Sequence, residues 1–369
     1  MPWKGKVITL GAVFSTTGTG VAYGPQQVKG AQLAVSQINA AGGIKGATLR
    51  LVTDNDDSQP AQSATVMRSL ITSEGALAVL GPTFSNSAAA ADPVADSLAT
   101  PVLAVSNTGP GIVGACPYPC SWIFRDSLGD AATIPANVGY YVNQSHPQSA
   151  VVMYPTADPF GASTAQFMTN AFTVDGVAQV SSVAIGDPTA LSGPVQSALA
   201  SHPTVVGITA SSATVAGGLL KELRAQGFSG QILGGNAFNS PAAATAAGSS
   251  GTGARSGAAW YLGNGSTVNR AFVAAYQRRY DTSPDQFAAL AYTGVELLAR
   301  AAGSAPLRFA AIGDDRLAFK VALAGVRMST PLGPFHFTAD HDVDQPIWIV
   351  SMNGRGGYGL VRQLPAPSP

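Results

Sequence analysis

Short runs of β-branched and apolar residues alternate along this chain with segments whose apolar positions recur at helical spacing. That alternation constrains the fold more than any other feature, because it predicts βαβ units and a mostly parallel sheet. Strands are expected at 7–14, 48–53, 76–80, 101–105, 150–154, 177–185, 205–209, 231–234 and 258–262. Helices are expected between them at 26–39, 61–73, 87–98, 163–172 and 215–226, and after them at 269–280 and 284–301. In the first helix Val28, Ala31, Val35 and Ile38 mark one apolar face. The rhythm breaks over the irregular stretch 106–122 and resumes near Ala150, which predicts a boundary between two α/β lobes. A chain of 369 residues is also longer than a single core usually supports. Strand patterns at 335–338 and 347–352 are too little for a third domain and must rejoin a lobe.

The charge pattern excludes one class of function. Charged residues make up 11% of the chain, twenty basic against twenty acidic, and no Lys/Arg cluster appears. A nucleic-acid partner is therefore not expected. No apolar run approaches the roughly 18 to 20 residues of a membrane span. The first residues, Met1 to Lys6, carry no charged and apolar leader pattern and enter a strand directly. On this alone the protein is either cytosolic or preceded by a leader outside this sequence. Its two cysteines, Cys116 and Cys120, lie in the Gly- and Pro-rich "GACPYPCSW". A small disulfide ring or two inert thiols fit that setting, and zinc does not, because no second Cys/His pair stands near.

The loop after the first strand, "STTGTGVAYGPQQVKG", sits where nucleotide-binding proteins keep a phosphate cradle. It lacks the Lys-Ser/Thr of a Walker A motif, and Gly18, Gly20 and Gly24 have the wrong spacing for GxGxxG. What remains is a polar rim at the carboxyl end of a strand, where open α/β sheets bind ligands. Catalysis is not expected: there is no GxSxG elbow, and His146 and His202 precede prolines as turn residues. Asp340, Asp342 and Asp344 around His341 lack the Gly and distal Glu of a calcium loop and read as a solvated turn. The run Asp54-Asn55-Asp56-Asp57 reads as a turn into the next helix. No metal and no cofactor are expected. Two stretches look like binding elements instead. "LGPTFSNSAAAADP" places Ser85, Asn86 and Ser87 where a helix begins, a natural carboxylate or phosphate site, and "VLAVSNTGPG" places Ser106, Asn107 and Thr108 after the next strand.

At this level the sequence resembles the periplasmic leucine/isoleucine/valine-binding protein family of ABC importers. The resemblance starts with "GAVFSTTGTGVAYGPQQVKGAQLAVSQINAAGGIKGATLRLV". It continues in order through "VLGPTFSNSA", "AVSNTGP", "IFRDS", "MYPTADPFGAST", "LLKELRAQGF", "ILGGNAF", "FVAAYQRRYDTSPDQFAALAY" and "PLGPFHFTADHD". It implies an α/β type I periplasmic binding fold, two Rossmann-like lobes joined by three hinge crossings near 124–127, 261–263 and 333–337. Lobe one would then comprise 1–125 plus 262–334, and lobe two 126–261 plus 335–369. It further implies a monomeric, non-enzymatic binder, periplasmic or a cell-surface lipoprotein, that closes on a small carboxylate-bearing ligand and delivers it to an ABC permease. An alternative is a cytosolic ligand-sensing regulator, or an amide- or urea-type sensor, on the same fold.

Residue by residue, the family's α-carboxylate positions match Ser85, Ser106 and Thr108, and its first-loop tyrosine matches Tyr23. Its lobe-two tyrosine matches Phe160, and a further aromatic falls at Ser211 or Ser212, making that wall smaller and more polar. Phe84, Asn86, Asn107 and Phe238 are weaker candidates beside these. The acid that pairs with an α-ammonium in amino-acid binders is replaced here by Asn236. Since a buried ammonium without a counter-charge costs several kcal/mol, either Asp158 or Asp126 substitutes for it, or the ligand is a carboxylate without an amine. The second is favoured.

Overall fold

The computed structural model describes residues 2–366. In chain order the first elements are β1 (Val7–Val13), α1 (Gly24–Ala40), β2 (Thr48–Asp54), α2 (Pro60–Thr72), β3 (Ala78–Leu80), α3 (Ser85–Ser97), β4 (Val102–Ala104) and β5 (Ile123–Arg125). They are followed by α4 (Asp130–Ser145), β6 (Ser149–Pro155), α5 (Pro159–Val174), β7 (Gln179–Ile185), α6 (Ser192–Leu199), β8 (Val205–Ile208), α7 (Ala213–Ala225), β9 (Gln231–Gly234), α8 (Pro241–Ala247) and β10 (Arg255–Ala258). The chain ends with α9 (Thr267–Tyr280), α10 (Gln286–Ser304), α11 (Ile312–Ala324), β11 (Arg327–Thr330), β12 (Gly333–Phe337), β13 (Val343–Asp344), β14 (Ile347–Met352) and β15 (Tyr358–Leu364).

These elements form two units. The first comprises Met1–Asn107, Gly111–Leu128 and Leu262–Gln345; the second comprises Thr108–Pro110, Gly129–Tyr261 and Pro346–Pro369. In the first unit a parallel sheet runs β2-β1-β3-β4-β5, and β11-β12-β13 make a small antiparallel sheet. In the second, the sheet order is β15-β14-β10-β9-β8-β6-β7, parallel except where β14 pairs with β10 and β15. Residues 335–345, expected in the second lobe, lie in the first unit because β12 is held on both sides by β11 and β13. The change of unit thus falls at 345/346 rather than at 333–337.

Other differences follow from local chemistry. The strand expected at 258–262 is Arg255–Ala258: Arg-Ser-Gly-Ala lacks β-branched residues, yet it pairs with β9 on one side and β14 on the other. Helix α4 was not anticipated, and Pro135 inside it interrupts the pattern. On α1 the buried residues are Gly24, Gln27, Gly30, Ala31, Leu33 and Ala34, while Val28, Val35 and Ile38 are half-buried. Small side chains there let α1 lie directly on α10. A Cβ on Gly30 would stand 2.1 Å from the carbonyl oxygen of Ala288 and 2.9 Å from its carbon. Cys116 and Cys120 are joined in a disulfide.

The turn around His341 is not a solvated loop. Its ring stacks on Phe124 at 3.9 Å, and Asp342 forms an ion pair with Arg125, whose side chain is only 8% exposed. Asp344 pairs with His336. These acids are spent on fastening the loop to β5 and β12, and among the described residues no cluster of three or more His, Cys, Asp or Glu side chains could hold a metal ion.

The α1–α10 contact gives a direct stability test. Gly30→Ala should destabilise the protein by about 2 kcal/mol or more, since backbone must move to admit the methyl group. Urea unfolding with an unchanged midpoint would refute this close approach.

Candidate ligand-binding site

In the first unit, the carboxyl ends of β1, β3 and β4 carry the residues that the sequence marks. The loop after β1 folds back through a 3-10 turn, Gly18–Ala22, to enter α1 at Gly24. A Cβ at Gly24 would lie 2.1 Å from the Ser15 carbonyl oxygen, so only glycine permits this return. The acidic stretch after β2 braces it. Asp56, fully buried, accepts from the Ser15 hydroxyl and the Ser58 N–H, and Asn55 accepts from the Thr16 N–H. The glycine-rich loop is therefore held in place through Ser15 and Thr16.

Tyr23, the last residue before α1, is 3% exposed, with its ring edge-on to Phe84 at 5.6 Å and to Phe287 at 4.6 Å. Helix α3 opens at Ser85, with Phe84 as its cap residue and no side-chain capping bond; Ser85 and Asn86 are half-buried. Ser106 is buried and its hydroxyl is spent inside the unit. It donates to the Thr83 carbonyl at 2.6 Å and accepts from Gln27 Nε2 at 2.9 Å. A hydroxyl has one hydrogen, so Ser106 Oγ has none left for a carboxylate. Next to it the Asn107 side chain is fully buried with neither amide atom hydrogen-bonded, although its carbonyl accepts from Arg125.

In the second unit, Thr108 is 4% exposed; its carbonyl accepts from the Asp130 N–H at 2.7 Å and its hydroxyl has no partner. Phe160 is half-buried in the first turn of α5, where its carbonyl accepts from the Ser163 and Thr164 hydroxyls. Ser212 caps α7 by accepting from the Val215 N–H, and Ser211 N–H donates to Asp158 Oδ2 at 2.6 Å. Asp158 thus ties the β6–α5 loop to the β8–α7 loop. Asn236 opens a short 3-10 turn and accepts from Asn239. Phe238, 1% exposed, is a core residue with its ring packed over Gly234.

Asp126, the other acid considered as an ammonium partner, lies at 0% exposure in the first unit beside Gly294 of α10, with no hydrogen bond to either carboxyl oxygen. Burial pushes its carboxyl well above the usual carboxylate range, so it favours the neutral acid. The sequence singled out neither Gln27 nor Thr83. The available signal was a polar side chain set among small residues on the buried face of α1.

Two α/β units, each built on a largely parallel sheet, give the chain a type I periplasmic binding protein fold. The chain belongs to the periplasmic binding protein family, whose profile matches residues 7–357. Among solved structures, the branched-chain amino acid transporter substrate-binding protein LivJ of Streptococcus pneumoniae, in complex with isoleucine, superposes with a TM-score of 0.85. It is 25% identical, covering 98% of this chain and 100% of that one. A solute-binding protein of an ABC transporter from R. palustris, in complex with benzoate, gives a TM-score of 0.84 at 21% identity and 98% coverage of both chains. An amino acid binding protein of Pseudomonas aeruginosa is 32% identical over 105 residues, 28% of this chain. The curated relatives are matched over only 24% to 39% of their own length. No described helix is long and apolar enough to cross a membrane.

Asp126 supplies a pH test. Its folded-state affinity for a proton exceeds that of the unfolded chain, so the stability it contributes is fully present below about pH 4 and is lost as pH rises toward its folded value. Asp126→Asn should flatten that decline, which runs at up to about 1.4 kcal/mol per pH unit, and leave ligand affinity unchanged. An identical pH slope in the variant would show that Asp126 is ionised in the fold.

Proposed function

We propose that this protein is an extracytoplasmic solute-binding protein of an ABC importer that captures a small carboxylate without an α-ammonium group, such as an aromatic or branched aliphatic acid. The observation that carries the reading is the hydroxyl of Thr108, buried and without a hydrogen-bond partner, directly after Asn107, whose amide is in the same state. Unpartnered buried polar groups cost about 1–3 kcal/mol each, and a bound carboxylate offers acceptors for the Thr108 hydroxyl and the Asn107 N–H. Ser85, at the opening of α3, is the further anion contact in this proposal.

Absence of the amine is supported by how the acids are used. Asp158 is engaged by the Ser211 N–H, burial raises the Asp126 carboxyl well above the usual carboxylate range and so disfavours its charged form, and Asn236 carries no charge. An ammonium placed against such a surface would lose several kcal/mol. Tyr23, Phe160 and Ser212 are proposed as walls of the site, and closing of one lobe on the other is the capture step that the family resemblance implies.

A thermal-shift panel tests this. At a concentration of about 100 times Kd a ligand stabilises by about 2.7 kcal/mol, a shift of several degrees. Benzoate or isocaproate should raise Tm more than L-leucine does, and leucinamide should not raise it. Leucinamide matching the acids would overturn the carboxylate site; L-leucine outranking isocaproate would overturn the reading of Asn236. Thr108→Val should weaken the best acid by about tenfold or more.

A further inference from the structure

Gln27 hydrogen-bonds to both of the first unit's later binding loops. It lies in the first turn of α1 at 0% exposure, and its amide bridges Thr83 after β3 and Ser106 after β4. Thr83 Oγ1 donates to Gln27 Oε1 at 2.6 Å, and Gln27 Nε2 donates to Ser106 Oγ at 2.9 Å. Ser106 donates in turn to the Thr83 carbonyl at 2.6 Å, and the Ser15 N–H, at the start of the loop after β1, donates to Thr83 Oγ1 at 2.9 Å. The amide orientation is forced. Were oxygen and nitrogen exchanged, the Thr83 hydroxyl hydrogen would lose its acceptor, and the Thr83 carbonyl would lose the Ser106 hydrogen to Gln27. Only the observed direction gives every one of these hydrogens an acceptor.

We propose that Gln27 is the positioning residue of the first lobe's ligand rim: its amide holds the loops after β1, β3 and β4 in one register and turns the Ser106 hydrogen inward. This rests on the reading of that rim as the carboxylate site. Gln27 itself touches no ligand. It acts by placing Ser106, and with it the Asn107–Thr108 step, and by keeping the Ser106 hydrogen on the Thr83 carbonyl. Removing the amide leaves the Thr83 hydroxyl hydrogen and the Ser106 oxygen, on two loops, to find new partners, and the Thr83 hydroxyl that turns to find one is the acceptor of the Ser15 N–H, which alters the rim without touching the hydrophobic core.

Two substitutions of similar size separate positioning from bulk. Gln27→Leu removes both hydrogen bonds. Gln27→Glu keeps them while its buried carboxyl is protonated, because the acid O–H can donate to Ser106 as the amide does, and reverses the Ser106 hydrogen once it ionises. Affinities for benzoate, isocaproate and L-leucine should be measured by calorimetry against the wild type at each pH. With the probe that binds, Gln27→Leu should be about tenfold weaker at every pH, and Gln27→Glu near wild type at about pH 5 and about tenfold weaker at about pH 8. A Gln27→Leu protein that binds like the wild type overturns the proposal even if Gln27→Glu weakens with pH, since charge alone then explains the loss. So does a Gln27→Glu defect that does not change with pH. A ligand-free measurement runs beside this one. The hydrogen-exchange protection of the Ser15 amide should fall by about tenfold in Gln27→Leu while core amides of β1 keep theirs; unchanged Ser15 protection overturns the proposal. Should the wild type bind none of the probes, the carboxylate reading fails and the Ser15 amide still decides the role of Gln27.

Discussion

The first unit depends on the direct contact of α1 with α10. Gly30 brings the α1 backbone against the carbonyl of Ala288, and Ala31 and Ala34 beside it on α1 are buried small side chains. Dispersion and apolar burial supply the attraction only because nothing larger intervenes. That seam fixes where α1 begins, and the beginning of α1 is where Tyr23 and Gln27 stand. A packing constraint in the middle of a helix thereby sets polar geometry at its end: the amide of Gln27 reaches Thr83 and Ser106 because the helix carrying it cannot shift.

Legibility in the sequence followed the range of the forces involved. Strands with β-branched runs, such as β1, β6 and β8, were readable because alternation and burial are local properties of a few neighbouring residues. Strand β10 was displaced because its Arg-Ser-Gly-Ala sequence is a strand only by virtue of β9 and β14 on its flanks. Helix α11 was missed for a related reason: Leu317 and Val321 are exposed, so its apolar positions do not form the single stripe that marks a helix. The boundary at 334 failed on the pairing of β12 with its neighbours, which hairpin contacts decide and composition does not.

The candidate site shows the same division. Ser85, Ser106 and Thr108 could be placed at strand ends and helix starts from capping and turn chemistry alone. Which hydroxyls remain available could not be read, because the Ser106 hydrogen is spent on the Thr83 carbonyl, 23 residues away in sequence, while Thr108 is not spent at all. The acids divide likewise. Asp342 is an ion-pair partner of Arg125 across 217 residues, Asp56 is a brace for Ser15, and Asp126 is a buried carboxyl whose charged form burial disfavours. The same side chain serves three purposes according to what burial leaves around it.

The central claim is that a carboxylate is held at the strand ends where α3 opens and where Asn107 and Thr108 follow β4. Titrating isotopically labelled protein with benzoate and isocaproate, and with benzamide as the uncharged control, while following backbone amide resonances tests it most directly. The account predicts that the largest shifts fall at residues 85–87 and 106–108 for an acid and are absent for the amide. Shifts of equal size with benzamide, or shifts confined to residues outside these two segments, would contradict it.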